Sequence, residues 1–257
     1  MMKLASWNVN SLKVRLDQVL EWMDTDNIDV LALQETKVID EQFPLEAFTS
    51  KGLSVVFSGQ KTYNGTAIIS RFPISEIMMD IPQMTDPQRR ILVATIGDLR
   101  LINLYVPNGA EVSSDKYQYK LAWLNNVTDF IKEQLAHYPN VAVVGDFNIA
   151  PEDRDVHAPD EWRGSVLVSE PERQAFQALI ALGLRDSFRA LYPETVAYSW
   201  WDYRAAGFRR NRGLRIDHIL LSEPLMQRCT EASVDITPRR AERPSDHAPV
   251  WAYLNLE

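Results

Sequence analysis

The sequence of 257 residues is poor in the features that mark several large protein classes. It has one cysteine, Cys229, which excludes a disulfide scaffold and a cysteine-based metal cluster. No apolar run approaches the roughly 18 residues that a membrane span requires. No internal repeat, low-complexity linker or GxGxxG fingerprint is present. The amino terminus leads directly into a strand-like pattern without a signal-peptide core, so we expect a cytoplasmic protein that does not bind membranes.

Charge is unevenly distributed along a chain of ordinary globular composition. Hydrophobic residues make up 46% and charged residues 24%, and 35 acidic side chains against 27 Lys and Arg give a net charge of −8. Five arginines and no acid nevertheless lie between Arg204 and Arg215, and Arg239, Arg240 and Arg243 follow. Such a basic zone can follow a phosphate backbone, although a solvated loop is the simpler interpretation of charge alone.

Short strands dominate the predicted secondary structure. β-branched or apolar runs bounded by Gly, Pro, Asn or Asp predict strands at Lys3–Trp7, Val30–Gln34, Leu53–Phe57, Ala67–Ser70, Ile91–Ile96, Leu101–Val106, Val141–Gly145, Ile216–Leu221, Ser233–Thr237 and Val250–Asn255. Several of these runs are continuously apolar, as in strands that are buried on both faces.

Helical spacing appears in three places. Apolar residues three and four apart predict helices over 12–23, 117–135 and 176–182, with Asn10 or Ser11 as the cap of the first. Many strands with few scattered helices indicate an α/β fold in which two mixed β-sheets pack face to face with helices on the outside. We expect residues 1–257 to form one domain of this kind, a four-layer α/β sandwich.

Polar residues recur where the apolar strands end. They are Asn8, Gln34, Glu35, Tyr105, Asn108, Asp146 and Asn148, with Asp217 in RIDHILL and Ser245, Asp246 and His247 before the last strand. Strand ends of a sheet protein converge on one rim, so these groups are expected to form one acidic cluster. Oxygen ligands with a single histidine favour a hard divalent cation, Mg²⁺ or Mn²⁺, over zinc.

Each of these residues alone has a structural explanation. A strand-terminal Asp or Asn is most often a turn or helix cap, a lone His is usually a satisfied structural residue, and Tyr105 fits a core position. The functional interpretation depends on the repetition of the pattern within one chain.

Together, the strings SWNVNSL, LQETK, YVPNG, GDFNIAPEDRDVH, SWWDYRAAGFRRNRGLRIDHILLS and SDHAPV resemble the exonuclease III family of bacterial DNA-repair nucleases. This family belongs to the endonuclease/exonuclease/phosphatase superfamily. The resemblance runs from Met2 to Leu254 in the family's order, and no matched site position departs from the pattern.

The resemblance implies a set of site residues. It implies a metal site with Glu35 as the direct ligand, Asn8 as its partner, Asn10 in support and Asp246 as a second carboxylate. Asp146 would activate the attacking water, Asn148 would support it, and Asp217 would orient His247 at the scissile phosphate. Asp146, Asn148 and His247 are also candidates to contact a second metal. Tyr105 is implied as an active-site tyrosine.

The resemblance also implies DNA contacts. Asn108 would contact a phosphate, and Trp200 and Leu214 would form a pocket for a base-free deoxyribose. Arg90, Arg209, Arg210 and Arg212 are further candidates for binding DNA. We expect one of the neighbours Trp200 and Trp201 to be core instead.

The implied activity is a Mg²⁺- or Mn²⁺-dependent phosphodiesterase that cuts duplex DNA on the 5′ side of abasic sites and removes 3′ blocking groups or 3′ nucleotides, acting as a monomer. A mainly 3′–5′ exonuclease with weak abasic-site activity is the alternative within the family. Two more distant alternatives are a phosphodiesterase of phospholipid type and a non-catalytic nucleic-acid-binding protein on the same fold.

Overall fold

The computed structural model describes residues 1–256. Within this range it contains fourteen strands and seven α-helices. The strands are β1 (Met2–Asn8), β2 (Val30–Gln34), β3 (Ser54–Ser58), β4 (Thr66–Ser70), β5 (Ser75–Met78), β6 (Ile91–Ile96), β7 (Leu99–Tyr105), β8 (Val141–Asp146), β9 (Leu184–Asp186), β10 (Trp200–Trp201), β11 (Gly213–Leu214), β12 (Asp217–Ser222), β13 (Cys229–Val234) and β14 (Val250–Leu254). The α-helices are α1 (Leu12–Thr25), α2 (Leu45–Thr49), α3 (Asp115–His137), α4 (Pro159–Trp162), α5 (Glu170–Ala181), α6 (Ser187–Leu191) and α7 (Glu223–Met226).

The strands form two six-stranded sheets and a small hairpin. The first sheet has the order β13-β14-β1-β2-β4-β3, the second the order β5-β6-β7-β8-β12-β9, and β10 pairs with β11. Both large sheets are mixed, because β1 runs parallel to β2 and β7 runs parallel to β8 while the other pairs are antiparallel.

Three apolar clusters divide the molecule into layers. The central cluster joins the facing sides of the two sheets, with Leu4 and Ala32 from the first sheet and Leu101 and Val144 from the second. A second cluster packs α3 and α5 on the outer face of the second sheet, and a third packs α1 and α2 on the outer face of the first. The structure thus confirms the predicted four-layer α/β sandwich.

The two-residue period of a strand decides which polar side chains enter the space between the sheets. In β1, Leu4 belongs to the central cluster, so Ser6 and Asn8 point the same way, whereas Ala5 and Trp7 join the outer cluster. The same parity carries Gln34, Tyr105, Asp146 and Asp217 inward at the ends of β2, β7, β8 and the start of β12. Polar groups therefore gather at one end of an otherwise apolar space between the sheets.

Close packing of β7 against β8 requires a glycine next to this end. Gly145 has φ +142°, and a Cβ atom added there would lie 1.9 Å from the carbonyl oxygen of Leu104. An alanine at this position would force the two parallel strands apart. The missing side chain thus lets Asp146 lie directly beside Tyr105 in the ladder.

Several predicted boundaries were wrong. The strand predicted at Ser233–Thr237 is β13, which ends at Val234, because the Asp235 carboxylate accepts a hydrogen bond from the Thr237 amide and a 3₁₀ turn, Thr237–Arg240, begins there. Ser11 occupies the N-cap position of α1 but its side chain makes no capping hydrogen bond, and the Asn10 side chain is used elsewhere. The short strands β5, β9, β10 and β11 were not predicted, since two to four residues carry no measurable periodicity.

Part of the basic zone is internal, whereas the sequence indicated either a phosphate-binding zone or a solvated loop. Arg215 is buried and bonds Asp155 and Asp186 at 2.8 Å each. Arg239 is also buried; it lies over the rings of Trp201, Tyr203 and Phe208 and donates to the carbonyl of Ser245. Arg215 is thus paired with two carboxylates, whereas Arg239 is held by the aromatic rings and one carbonyl, and its buried Nε has no hydrogen-bond partner.

No helix within residues 1–256 is long and apolar enough to cross a membrane. Cys229 is buried at the start of the edge strand β13, and burial raises the pKa of its thiol to about 11.

Acid sensitivity should arise at His218, which is buried beside Arg215. Its Nε2 donates to the carbonyl of Ile149, so its Nδ1 accepts from Arg215. Burial and the neighbouring guanidinium lower the pKa of His218, so the unfolded chain binds a proton more readily than the folded one. The free energy of unfolding should therefore fall as the pH drops below the unfolded value of about 6.5, by at most about 1.4 kcal/mol per pH unit.

Urea denaturation of wild type and His218→Gln between pH 5 and pH 7.5 (roughly the range in which an unfolded histidine titrates) checks this. The variant should be less stable at pH 7.5 but show a flatter pH dependence. Parallel curves for the two proteins would contradict the assignment.

Candidate active site

Neighbouring strands bring the polar strand ends into contact. In the ladders, Asp146 lies directly opposite Tyr105 on one side and Asp217 on the other, and Asn8 lies opposite Gln34. Asp146, Tyr105 and Asp217 are neighbours in the second sheet, and Asn8 and Gln34 are neighbours in the first sheet, which faces it. The structure therefore places the predicted acidic cluster at the junction of the sheets.

Asn8 connects the two sheets. Its Nδ2 donates to Glu35 Oε1 and to Asp146 Oδ2, both at 2.9 Å, and its Oδ1 accepts from the Asn10 amide at 3.0 Å. Since the amide nitrogen faces the carboxylates, Asn8 orients them and does not offer them an oxygen ligand in this arrangement. Asn8 bridges Glu35 and Asp146, and its role at a metal site stays a prediction.

Glu35 is held by three donors in a strained turn. It has φ +51°, directly after β2, and accepts from Asn8, from the Tyr105 hydroxyl at 2.8 Å and from Lys37 Nζ at 3.1 Å. Burial alone would raise the pKa of Glu35, but the Asn8 hydrogen bond and the Lys37 charge outweigh it and lower that pKa. Glu35 is therefore an ionised carboxylate. Burial and the nearby Glu35 charge raise the pKa of Tyr105, so its hydroxyl stays protonated.

His247 lies between two carboxylates. Its Nδ1 donates to Asp217 Oδ2 at 2.8 Å, and its Nε2 lies 3.7 Å from Asp146 Oδ2. Burial opposes a charged imidazole, but Asp217 and Asp146 outweigh it and raise the pKa of His247 to about 10. Burial also raises the pKa of Asp146, to about 7, with the Asp217 charge adding to the shift. The pair forms a proton donor and a proton acceptor side by side.

Two asparagines flank Asp146. The Asn148 amide donates to Asp146 Oδ1 at 2.9 Å, and its side-chain Nδ2 donates to the carbonyl of Val106 at 2.9 Å and more weakly to Asp146 Oδ2 at 3.4 Å. Asn108 donates to Asn148 Oδ1 at 3.2 Å and is itself exposed. Asn148 therefore has one weakly held N–H, and Asn108 presents its amide to solvent.

Asp246 accepts hydrogen bonds from two neighbouring side chains. Its Oδ1 accepts from Asn10 Nδ2 and its Oδ2 from Trp200 Nε1, each at 3.0 Å. It is not a member of the group of ligand atoms within 4.8 Å of one another, which comprises Glu35, Asp146 and His247. The pairing of Glu35 with Asp246 around one ion stays a prediction.

The donor set fits a hard divalent cation. Carboxylate oxygens from Glu35 and Asp146 converge, amide groups surround them, and Cys229, the one cysteine of the chain, is far away in β13. Mg²⁺ is usually held by one or two carboxylates and keeps several waters. Because His247 is protonated between its carboxylates, Glu35 and Asp146 are the residues that would hold an ion.

The predicted DNA contacts divide into exposed and internal residues. Arg209, Arg210 and Arg212 are exposed, and Trp200 is partly exposed while Trp201 is core, as expected for one of the two. Leu214 is fully buried opposite Trp200 in the hairpin, so it supports the indole from below and has no surface to offer a sugar.

Arg90 supports Tyr105. Its guanidinium lies 4.7 Å from the centre of the Tyr105 ring, and it donates to the carbonyl of Tyr105 at 3.2 Å. In this arrangement Arg90 fixes the tyrosine, a contact that the sequence did not indicate.

Two polar residues of the site were missed from the sequence. Lys37 bonds Glu35 and also Asn10 Oδ1, at 2.7 Å, and Ser199 donates to Asp217 Oδ2 at 2.6 Å. Lys37 was within the LQETK string, two residues from Glu35, and its proximity was an available signal. Ser199 lies in a different loop from Asp217, and no local pattern connects them.

Comparison with known proteins identifies the class. The profile of the Endonuclease/Exonuclease/phosphatase family matches residues 5–247. The chain belongs to this family, it is a hydrolase of nuclease type, and the family depends on divalent metal ions.

Individual relatives cover the whole chain. Exodeoxyribonuclease III from Haemophilus influenzae is 37% identical over 98% of this chain and 99% of its own. The structure of the 3′ phosphatase NExo from Neisseria, bound to a product DNA hairpin, is 44% identical with a TM-score of 0.98 and covers 100% of both chains. An AP endonuclease from Archaeoglobus fulgidus is 38% identical with a TM-score of 0.95, also over 100% of both chains.

These relatives confirm the resemblance to the exonuclease III family. The two more distant alternatives, a phospholipid-type phosphodiesterase and a non-catalytic binding protein, receive no support from them.

The Asp217 carboxylate should be needed to keep His247 charged. In Asp217→Asn the neutral amide no longer stabilises the imidazolium, so the pKa of His247 should fall and kcat on duplex DNA should drop by at least about 10²-fold. Ser199→Ala, which leaves the carboxylate in place, is the matched control and should lose much less. NMR titration of the His247 ring measures the pKa directly; an unchanged pKa and kcat in Asp217→Asn would refute this role.

Proposed function

We propose that this protein is a Mg²⁺-dependent DNA-repair nuclease that cleaves duplex DNA on the 5′ side of abasic sites and also removes 3′ phosphates or 3′ nucleotides. The observation that carries the proposal is the imidazolium of His247 fixed between Asp146 and Asp217 beside the ionised Glu35. This combination suits hydrolysis of a phosphodiester, which needs a proton acceptor for water and positive charge near the phosphate. Mn²⁺ has similar ligand preferences and should substitute.

Each residue has a part in this chemistry. Asp146 takes the proton from the attacking water, since its raised pKa makes it a better base than an ordinary carboxylate. His247 contacts a phosphate oxygen and donates a hydrogen bond to it, with Asp217 holding its orientation. The weakly held N–H of Asn148 and the Tyr105 hydroxyl are donors for the growing negative charge. Glu35 and Asp146 would hold the ion, with Asn10 and Asp246 as supporting residues.

A bound divalent ion would supply charge that offsets the negative charge growing on the phosphate oxygens. The protein's own contribution is to keep Glu35 ionised and to hold Asp146 at the right distance, through the shared Asn8 donor.

The DNA partner would be held by the exposed arginines 209, 210 and 212 and by Asn108. We also propose that residues 1–257 act as one domain, as a monomer and in the cytoplasm. The apolar cluster shared by both sheets supports the single domain.

A mainly 3′–5′ exonuclease is the second candidate, and a specific observation favours it. Leu214, expected to line the pocket for a base-free sugar, is fully covered. Trp200 instead borders an open cavity of about 400 Å³ with His157, Trp162 and Arg212. This space is open to solvent, so it does not by itself exclude a nucleotide that still carries its base.

Glu35 should control the metal requirement. Glu35→Gln removes the ionised ligand, so the Mg²⁺ concentration for half-maximal activity should rise by at least about tenfold, with partial recovery of activity at high metal concentration. Glu231→Gln, an exposed carboxylate on the edge strand β13, is the control and should leave the metal curve unchanged. Wild-type cleavage that persists in EDTA would refute the metal-dependent function.

Variants at Trp200 and Arg210 should distinguish recognition of the abasic site from general affinity for DNA. Trp200→Ala should reduce abasic-site cleavage much more than 3′-end removal, because only the flipped sugar needs the pocket wall. Trp200→Phe keeps an aromatic side chain in the pocket wall but loses the N–H that donates to Asp246. This variant therefore distinguishes the contribution of the aromatic wall from that of the hydrogen bond. Arg210→Ala should weaken both activities alike and reduce the salt slope by about 0.9 per lost phosphate contact.

Both activities are measured on matched duplexes, one with an abasic analogue and one with a recessed 3′ end, across a salt series. Equal loss of the two activities in Trp200→Ala would remove the support for abasic-site specificity and favour the exonuclease.

A further inference from the structure

A pair of opposite charges is completely buried beneath the site. Lys120 of α3 and Glu172 in the first turn of α5 lie 2.5 Å apart, and both side chains are 0% exposed. Removing two charges from water is so unfavourable that such a pair is often no more stabilising than apolar residues of the same size. Stability alone is therefore a weak explanation for this pair.

The remaining donors of Lys120 reach the two asparagines of the site. Nζ donates to the carbonyl of Asn148 at 2.7 Å and to the carbonyl of Asn108 at 3.1 Å, in addition to Glu172. An ammonium group has three hydrogens, so every one of them is used. The two carbonyls belong to separate loops, one after β7 and the other after β8. Lys120 thus ties these loops together from below.

Glu172 is itself held by several hydrogen bonds. Its Oε1 also accepts from the Leu167 amide at 3.0 Å, and its Oε2 accepts from the amide and hydroxyl of Ser169, at 3.1 and 2.6 Å, as part of the capping box of α5. The carboxylate is fixed by the start of a helix, and the ammonium is fixed by the carboxylate. The position of Nζ is therefore determined by the scaffold and not by the loops that it holds.

The loop after β8 carries the asparagine that contacts Asp146. Asn148 has φ +49°, a left-handed conformation that asparagine adopts more readily than other residues with a side chain. Its amide donates to Asp146 Oδ1 and its side chain meets that of Asn108. A small rotation at Asn148 would move the asparagine pair and the Asp146 carboxylate together.

We infer that Lys120 is a positioning residue for the nuclease reaction: its buried ammonium, fixed by Glu172, sets the spacing of Asn108 and Asn148 and thereby orients Asp146. The inference rests on the proposed function, because it assigns the consequence of this spacing to phosphodiester cleavage.

A pair of variants separates positioning from stability. Val127→Ala, a cavity-forming change at a buried apolar position of the same helix, should lower the melting temperature while kcat, measured well below that temperature, stays within about twofold of wild type. Lys120→Met combined with Glu172→Gln removes both charges, so its loss of stability should be no larger than that of Val127→Ala, whereas kcat should drop by at least about tenfold because misplacement of catalytic groups is costly. Lys132→Met, an exposed lysine of the same helix, is the control for charge loss and should match wild type.

A double-mutant cycle with Asn148→Ala adds a second measurement. If Lys120 acts through Asn148, the loss of kcat should be strongly non-additive. The inference is overturned if kcat follows the order of stability in the two variants, or if the effects of the double variant and Asn148→Ala are additive. Wild-type protein that fails to cleave DNA in Mg²⁺ would instead refute the proposed function and is recognised in the same assay.

Discussion

The site depends on a contact between the two sheets, made by the side chain of Asn8. Its amide group donates to Glu35, which directly follows β2 of the first sheet, and to Asp146, which ends β8 of the second sheet. Deeper in the same space, Asn103 of β7 donates to the carbonyls of Leu33 and Ala67 in the opposite sheet, and Gln34 donates to Asn103. The central cluster is apolar, and these amides fix how the sheets align at its polar end. A shift of one sheet against the other would separate the carboxylates.

Nearby positive charges offset the unfavourable burial of several carboxylates in one site. Asp146 and Asp217 share the charge of one imidazolium, and Glu35 is accompanied by Lys37. Few water molecules can reach these groups, so each opposite charge has a stronger effect than it would in solvent. The same environment that stabilises the imidazolium raises the pKa of Asp146, which links the two groups chemically. A phosphate and a cation would bring opposite charges into this balance together.

Strand-end positions were predictable because the two-residue period decides both the apolar core and the residues that emerge at its end. Asp146 and Asp217 follow this rule, whereas Glu35 has the opposite parity and enters the site through the turn at φ +51° directly after β2. The orientation of side chains could not be predicted, because the direction of the Asn8 amide, the partners of Asp246 and the complete burial of Leu214 depend on distant segments.

Lys120 and Glu172 illustrate a signal that was available but unused. Lys120 lies three residues after Tyr117 and four before Leu124, and Glu172 lies four before Phe176, so both charges fall on the apolar faces of their helices. The basic zone shows the reverse error, because charge alone could not indicate that Arg215 is internal while Arg210 is exposed.

The buried thiol of Cys229 has a consequence for how the protein withstands oxidative stress. Only the thiolate reacts rapidly with peroxides, and with a pKa of about 11 the thiol is almost entirely protonated at neutral pH. Because the sequence contains no second cysteine, no intramolecular disulfide can form. Oxidants that damage DNA would therefore leave the one cysteine of this protein largely unmodified.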